Sequence, residues 1–134
     1  MTDELFRLSA VDAVAQLRAG KLTPLDLIDA VERRAAQANK AVNAVVTTCF
    51  DRARDHARRL MAQPAAQRGM LAGLPIAIKE LNDVAGVRTT YGSPIFADNV
   101  PQVSDIMVQM LEGHGGVVVG MTNSPEFGAG ANTF

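Results

Sequence analysis

The 134-residue chain is 48% hydrophobic and 20% charged, with a formal net charge of −1. That suits one globular domain and excludes the basic excess of a nucleic-acid binder. Its single cysteine, Cys49, excludes an internal disulfide and fits the reducing cytoplasm.

Ser9 through about Arg18 predicts a short helix: Ser9 can cap it, Asp12 follows three residues on, and Gly20 supplies a stop. Thr23-Pro24-Leu25-Asp26 is a stronger start, with a capping Thr, a Pro in the first helical position and an acid at the positive helix end. Leu27, Ile28, Val31, Ala35 and Ala38 then form an apolar stripe running to about Asn39. Asn43 to Thr48 predicts a strand, and Phe50 to about Met61 an amphipathic helix. The arginines of that helix (Arg52, Arg54, Arg58, Arg59) are interleaved with Asp51 and Asp55, so they predict a solvated face.

Beyond Gly69 the pattern changes. Leu74 to Lys79 is almost continuously apolar, as expected of a strand buried on both faces. Asn82 to Asn99 predicts a long ordered loop. Ser104 to His114 predicts a helix with Ile106, Met110 and Leu111 inward. Gly116 to Gly120 predicts a second buried strand, and Thr122 onward a small-residue run. Helices alternating with apolar strands give the α/β class. No signal-peptide pattern and no run near roughly 18 apolar residues is present, so no membrane partner is expected.

Lys79 allows two readings. Closing an apolar strand, its amine would lose hydration, which disfavours the charged form and creates a proton acceptor. Alternatively it reaches solvent at a strand end. The Gly115–Thr122 stretch has phosphate-loop spacing, but three valines and Met121 replace the anion-cradling turn and its lysine. His56, His114 and Cys49 lack ligand spacing, so no metal is expected. Gly128 and Gly130 fall short of a dinucleotide fingerprint, and no cofactor is expected.

Three segments carry a resemblance. Gly73-Leu-Pro-Ile-Ala-Ile-Lys79-Glu80 resembles the Gly-x-Pro-x-x-x-Lys-Asp strand end of the amidase-signature family. Gly86-Val-Arg-Thr89-Thr90-Tyr-Gly92-Ser93 resembles its Gly-x-x-Thr-Thr-x-Gly-Ser loop. Val117 to Asn123 followed by Pro125-Glu126-Phe127-Gly128 resembles its Gly-Lys-Thr-Asn-x-x-Glu-Phe segment. The resemblance runs from Leu22 to Phe134, with Glu80 in place of Asp and Met121 in place of a non-catalytic Lys.

The resemblance implies an α/β/α sandwich on a mixed sheet, of which residues 1–134 form an incomplete domain. Residues 1–68 are its mainly helical start and 69–134 the beginning of the core. It implies hydrolysis of carbon–nitrogen amide bonds of a small-molecule substrate by a Ser–cisSer–Lys triad. Lys79 is then the catalytic lysine, while Thr89, Thr90, Gly92, Ser93, Asn123, Glu126, Phe127, Gly128 and Gly130 are candidates for a substrate loop. The family's serines are expected downstream of Phe134, since Ser93, Ser104 and Ser124 do not lie in the serine motif. Two alternatives stand beside this reading. One is a glutaminase like the A-type component of glutamyl-tRNA amidotransferase, using the same triad on glutamine. The other is a non-catalytic binding module.

Overall fold

A computed structural model describes residues 5–133. Four α-helices, α1 (Ala10–Arg18), α2 (Pro24–Val42), α3 (Phe50–Met61) and α4 (Ile106–Gly113), accompany three strands, β1 (Val45–Thr48), β2 (Pro75–Lys79) and β3 (Val117–Thr122). The sheet order is β1-β3-β2, with β1 antiparallel and β2 parallel to the central β3. The class is α/β with a mixed sheet, as expected.

The helix starts form for the anticipated reasons. Ser9 accepts from the Asp12 amide at 3.1 Å. Thr23 and Asp26 make a reciprocal capping box: the Thr23 N–H donates to Asp26 at 2.8 Å and the Asp26 N–H to the Thr23 hydroxyl at 3.2 Å. Helix α2 runs past Asn39 to Val42, where Asn43 takes a left-handed cap at φ +46°. Strand β1 therefore starts later than predicted, and the Asn39 amide group bonds the Val45 carbonyl and N–H at 2.7 and 2.8 Å.

Two apolar layers sandwich the sheet. Ile28, Ala53, Ala57 and Leu60 of α2 and α3 pack on Val117 and Val119. On the other face Val84, Val87 and Val108 pack on Ile78, Val118 and Met121. The register slips between the pairs Ile76–Val118 and Ala77–Gly120. Met121 thus joins the face of Val118, and no residue of β3 short of Thr122 is left partly open. Complete burial of a valine or isoleucine contributes about 1.5–3 kcal/mol, so β3 anchors both layers.

Three expectations need correction. Ile106 and Met110 are 77% and 59% exposed, while Val108 is fully buried and Leu111 packs beside it. Strand β2 is not buried on both faces among the described residues. Ile78 is buried, but Ala77 and Lys79 on the opposite face are exposed. The arginine face of α3 is not simply solvated. Arg54 bonds Asp29 at 2.8 Å and also Glu32, and Arg52 forks onto Glu112 of α4 at 2.7 and 3.2 Å. Cys49 is partly buried, and burial pushes its thiol up to about 11. His114 caps the end of α4.

Candidate active site

Because β2 and β3 are parallel and adjacent, their carboxyl ends emerge together, with Lys79 paired in register with Thr122. Crevices outside the carboxyl ends of parallel strands are where α/β sheets bind ligands. The two following segments converge there: Glu80 with the loop to Asn99, and Asn123 through Thr133.

Lys79 ends β2 on the open face, opposite Ile76 and Ile78, and its side chain is exposed. Its backbone is held on both sides. The Glu80 N–H donates to Thr122 O at 2.9 Å, and Lys79 O accepts from the Asn82 N–H at 2.9 Å.

The next residue, Glu80, is 1% exposed. Its Oε1 accepts from both the N–H and the hydroxyl of Thr90, at 2.8 and 2.5 Å. The loop beyond is knit tightly. The Thr89 N–H donates to Asn99 O at 3.0 Å, and the Asn99 amide donates back to Thr89 O at 2.8 Å. The Asp105 carboxylate accepts from Asn82 and from the Asp83 N–H, both at 3.1 Å. Tyr91 donates to Asp83 at 2.6 Å, and that hydrogen bond, assisted by burial, raises the phenol pKa above its ordinary value.

Gly92 and Ser93 meet the second segment directly. The Ser93 hydroxyl donates to Glu126 Oε1 at 2.6 Å, and the Phe127 N–H donates to Tyr91 O at 2.8 Å. A Cβ on Gly92 would stand 2.7 Å from Ser124 O, so glycine is needed for this approach as well as for its φ of +69°. Asn123 works as a brace: its N–H and side-chain amide donate to Ala44 O and Asn43 O, and its Oδ1 accepts from the Ser124 N–H.

An open cavity of about 610 Å³ lies between these segments, lined among others by Gly92, Asn123, Ser124, Glu126, Gly130 and Asn132. Of the sequence-predicted residues it gathers Gly92, Asn123, Glu126 and Gly130. Thr89 is buried in the loop framework, and Thr90 and Ser93 are tied to carboxylates. Phe127, 54% exposed, and Gly128 sit in left-handed backbone beside the cavity, and Lys79 is not in its lining. The sequence reading missed Glu80 as a hub, and Tyr91, Asn99 and Asp105 as loop anchors. Strand alternation carries the signal for Glu80, which shares parity with partly buried Ile76 and buried Ile78. Among the described residues, no group of three or more His, Cys, Asp or Glu side chains is placed to hold a metal ion, and no helix is long and apolar enough to cross a membrane.

A family model described as Amidase matches residues 26–134. An acylamidase of Rhodococcus erythropolis is 37% identical over 133 residues, which is 96% of this chain and 28% of that protein. The A-type component of the glutamyl-tRNA(Gln) amidotransferase of Synechococcus sp. (strain CC9605) is 38% identical over 120 residues, 88% of this chain and 24% of that protein. A crystal structure of a bacterial aryl acylamidase of the amidase-signature family superposes with a TM-score of 0.79 at 26% identity, covering 90% of this chain and 26% of that one. The chain spans about a quarter of the length of the curated relatives it matches. Its motifs, its mixed sheet and these similarities agree, and the chain belongs to the amidase family, the amidase-signature enzymes.

Proposed function

We propose that the full-length protein hydrolyses carbon–nitrogen amide bonds, with Lys79 as the general base of a Ser–cisSer–Lys relay whose serines lie outside residues 1–134. The observation that carries this reading is the placement of Lys79: a lysine at the carboxyl end of β2, exposed on the open face, with its backbone pinned by Thr122 and Asn82.

An amine accepts a proton only as the free base, which desolvation favours. The face over Ala77 and Lys79 is uncovered among the described residues, so the cover that dries the amine is assigned to the rest of the protein. The neutral amine takes the proton of the bridging serine, and that serine takes the proton of the nucleophile. The nucleophile's oxygen attacks the amide carbon, and the leaving nitrogen is protonated as the C–N bond breaks. Water then cleaves the acyl-enzyme to acid, regenerating the serine.

A second reading, a glutaminase that uses the same triad within an amidotransferase, is favoured by the 38% identity to the A-type component of such an enzyme. Ammonia release from glutamine, against hydrolysis of an aryl or acyl amide, separates the two.

The test is turnover by full-length wild type, Lys79→Ala and Lys79→Arg, with circular dichroism as a folding control. A positioned base contributes roughly 10²–10⁴-fold in rate, so Lys79→Ala loses about that much. Guanidinium remains protonated, so Lys79→Arg fails to rescue. An arginine variant with near-wild-type activity overturns the assignment.

A further inference from the structure

At the end of β2, two carboxylates and two hydroxyls form a chain of contacts that the proposed relay does not use. Glu80 directs both Thr90 donors onto one oxygen, and its other oxygen, Oε2, is buried without a hydrogen-bond partner among the described residues. Thr90 opens a four-residue turn. The Ser93 N–H donates to Thr90 O at 2.9 Å, and the two central residues, Tyr91 and Gly92, are left-handed at φ +54° and +69°. Positive φ at both central positions is the signature of a type I′ turn.

The far end of the turn grips the second segment. Ser93, 2% exposed, bonds Glu126, and Tyr91 O accepts the Phe127 N–H. Phe127 is itself left-handed at φ +49°. The Phe96 ring meets both Tyr91 and Phe127 edge-on, with centroids 5.1 and 6.0 Å apart. Left-handed backbone at an aromatic residue is uncommon and persists where the surroundings over-determine it. Hydroxyl-to-carboxylate bonds, at both ends of the turn, are the strong class that can do this.

We propose that Glu80, Thr90, Ser93 and Glu126 act as one clamp of positioning residues. Through it, the carboxylate next to Lys79 fixes the place of the Glu126–Gly130 segment, and so the distance between that segment and the lysine in the completed site. Glu80 touches Thr90 and not the segment, so the clamp implies action at one remove. Only the consequence for turnover rests on the amidase reading.

The test has two arms in the full-length protein. The first is hydrogen exchange by mass spectrometry on peptides spanning residues 86–93 and 124–131. Glu80→Ala raises exchange about tenfold or more in both, Ser93→Ala raises it in the second, and Ser93→Thr restores protection. Should Glu80→Ala fail to fold, Thr90→Val takes its place, removing the hydroxyl donor alone, and again raises exchange in both peptides. Increased exchange confined to 86–93 overturns the clamp.

The second arm is steady-state kinetics. Misplacement of a reacting group is felt in the chemical step, so Glu80→Ala and Ser93→Ala lower kcat about tenfold or more with KM within twofold, and Ser93→Thr recovers most of it. A rise in KM at unchanged kcat overturns the positioning role. If wild type shows no amide hydrolysis, the exchange arm alone decides the clamp, so the two failures are distinguishable.

Discussion

Replacing Glu112 by Gln tests how α4 is fastened to the helical layer. Glu112 lies between the Arg52 fork, at 2.7 and 3.2 Å, and His56 Nδ1 at 3.5 Å, with its side chain 18% exposed. Burial pushes its pKa up, but the hydrogen bonds to His56 and Arg52 outweigh burial and hold the carboxyl at about 2, against an ordinary 4.5. A folded pKa below the unfolded one means stability that is fully present above 4.5 and lost as pH falls toward 2. The difference between 4.5 and about 2, at about 1.36 kcal/mol per unit, is about 3 kcal/mol. Screening of the partly exposed pair leaves about 2 kcal/mol. Urea unfolding of wild type and Glu112→Gln at pH 6, 4.5, 3 and 2 measures it. Wild type leads by about 2 kcal/mol at pH 6, and the gap closes by pH 2. A gap that stays constant across that range refutes the linkage.

The remaining predictions concern the site and its framework. Gly92→Ala combines an unfavourable left-handed φ, about 1–2 kcal/mol, with a 2.7 Å clash against Ser124 O. It lowers the unfolding midpoint, and an unchanged midpoint would sink the close-approach argument. Cys49, with its thiol near 11, resists iodoacetamide at pH 7.5 in the folded protein and reacts once denatured; equal rates would contradict its burial. On the proposed relay, whose serines are assigned outside residues 1–134, those residues expressed alone give no amide turnover. Turnover that survives purification and vanishes in Lys79→Ala would overturn that.

Much of this was legible in the sequence where a local rule has one solution. The Thr23-Pro24-Asp26 cap, the span of α3 and the long loop after Lys79 follow from spacing and residue type alone. The apolar side of α4 was not legible. On two turns carrying Ile106, Met107, Val108, Met110 and Leu111, almost every direction is apolar, and only packing on β3 selects Val108 and Leu111. Continuity of apolar residues showed that β2 is a strand but not what covers it, so the open face that Ala77 and Lys79 present among the described residues was not anticipated. The loop residues Thr90, Gly92 and Ser93 were recognisable by resemblance. Their carboxylate partners were not, because Glu80–Thr90 and Ser93–Glu126 are contacts between separate segments.

The order β1-β3-β2 also dictates when the sheet can assemble. Among the described residues both outer strands pair only with β3, the last of the three to be synthesised, and the Val45–Thr122 pairing closes more than half the chain. Sequence-distant pairings must meet their loop-closure entropy before contacts reward it, which makes them slow. At about 5–20 residues per second, the ribosome leaves β1 and β2 without partners for several seconds while α2 and α3 can already pack. During that interval Pro75–Lys79 is an unpaired apolar segment, and chaperone binding during translation should concentrate there and cease once Val117–Thr122 has left the exit tunnel.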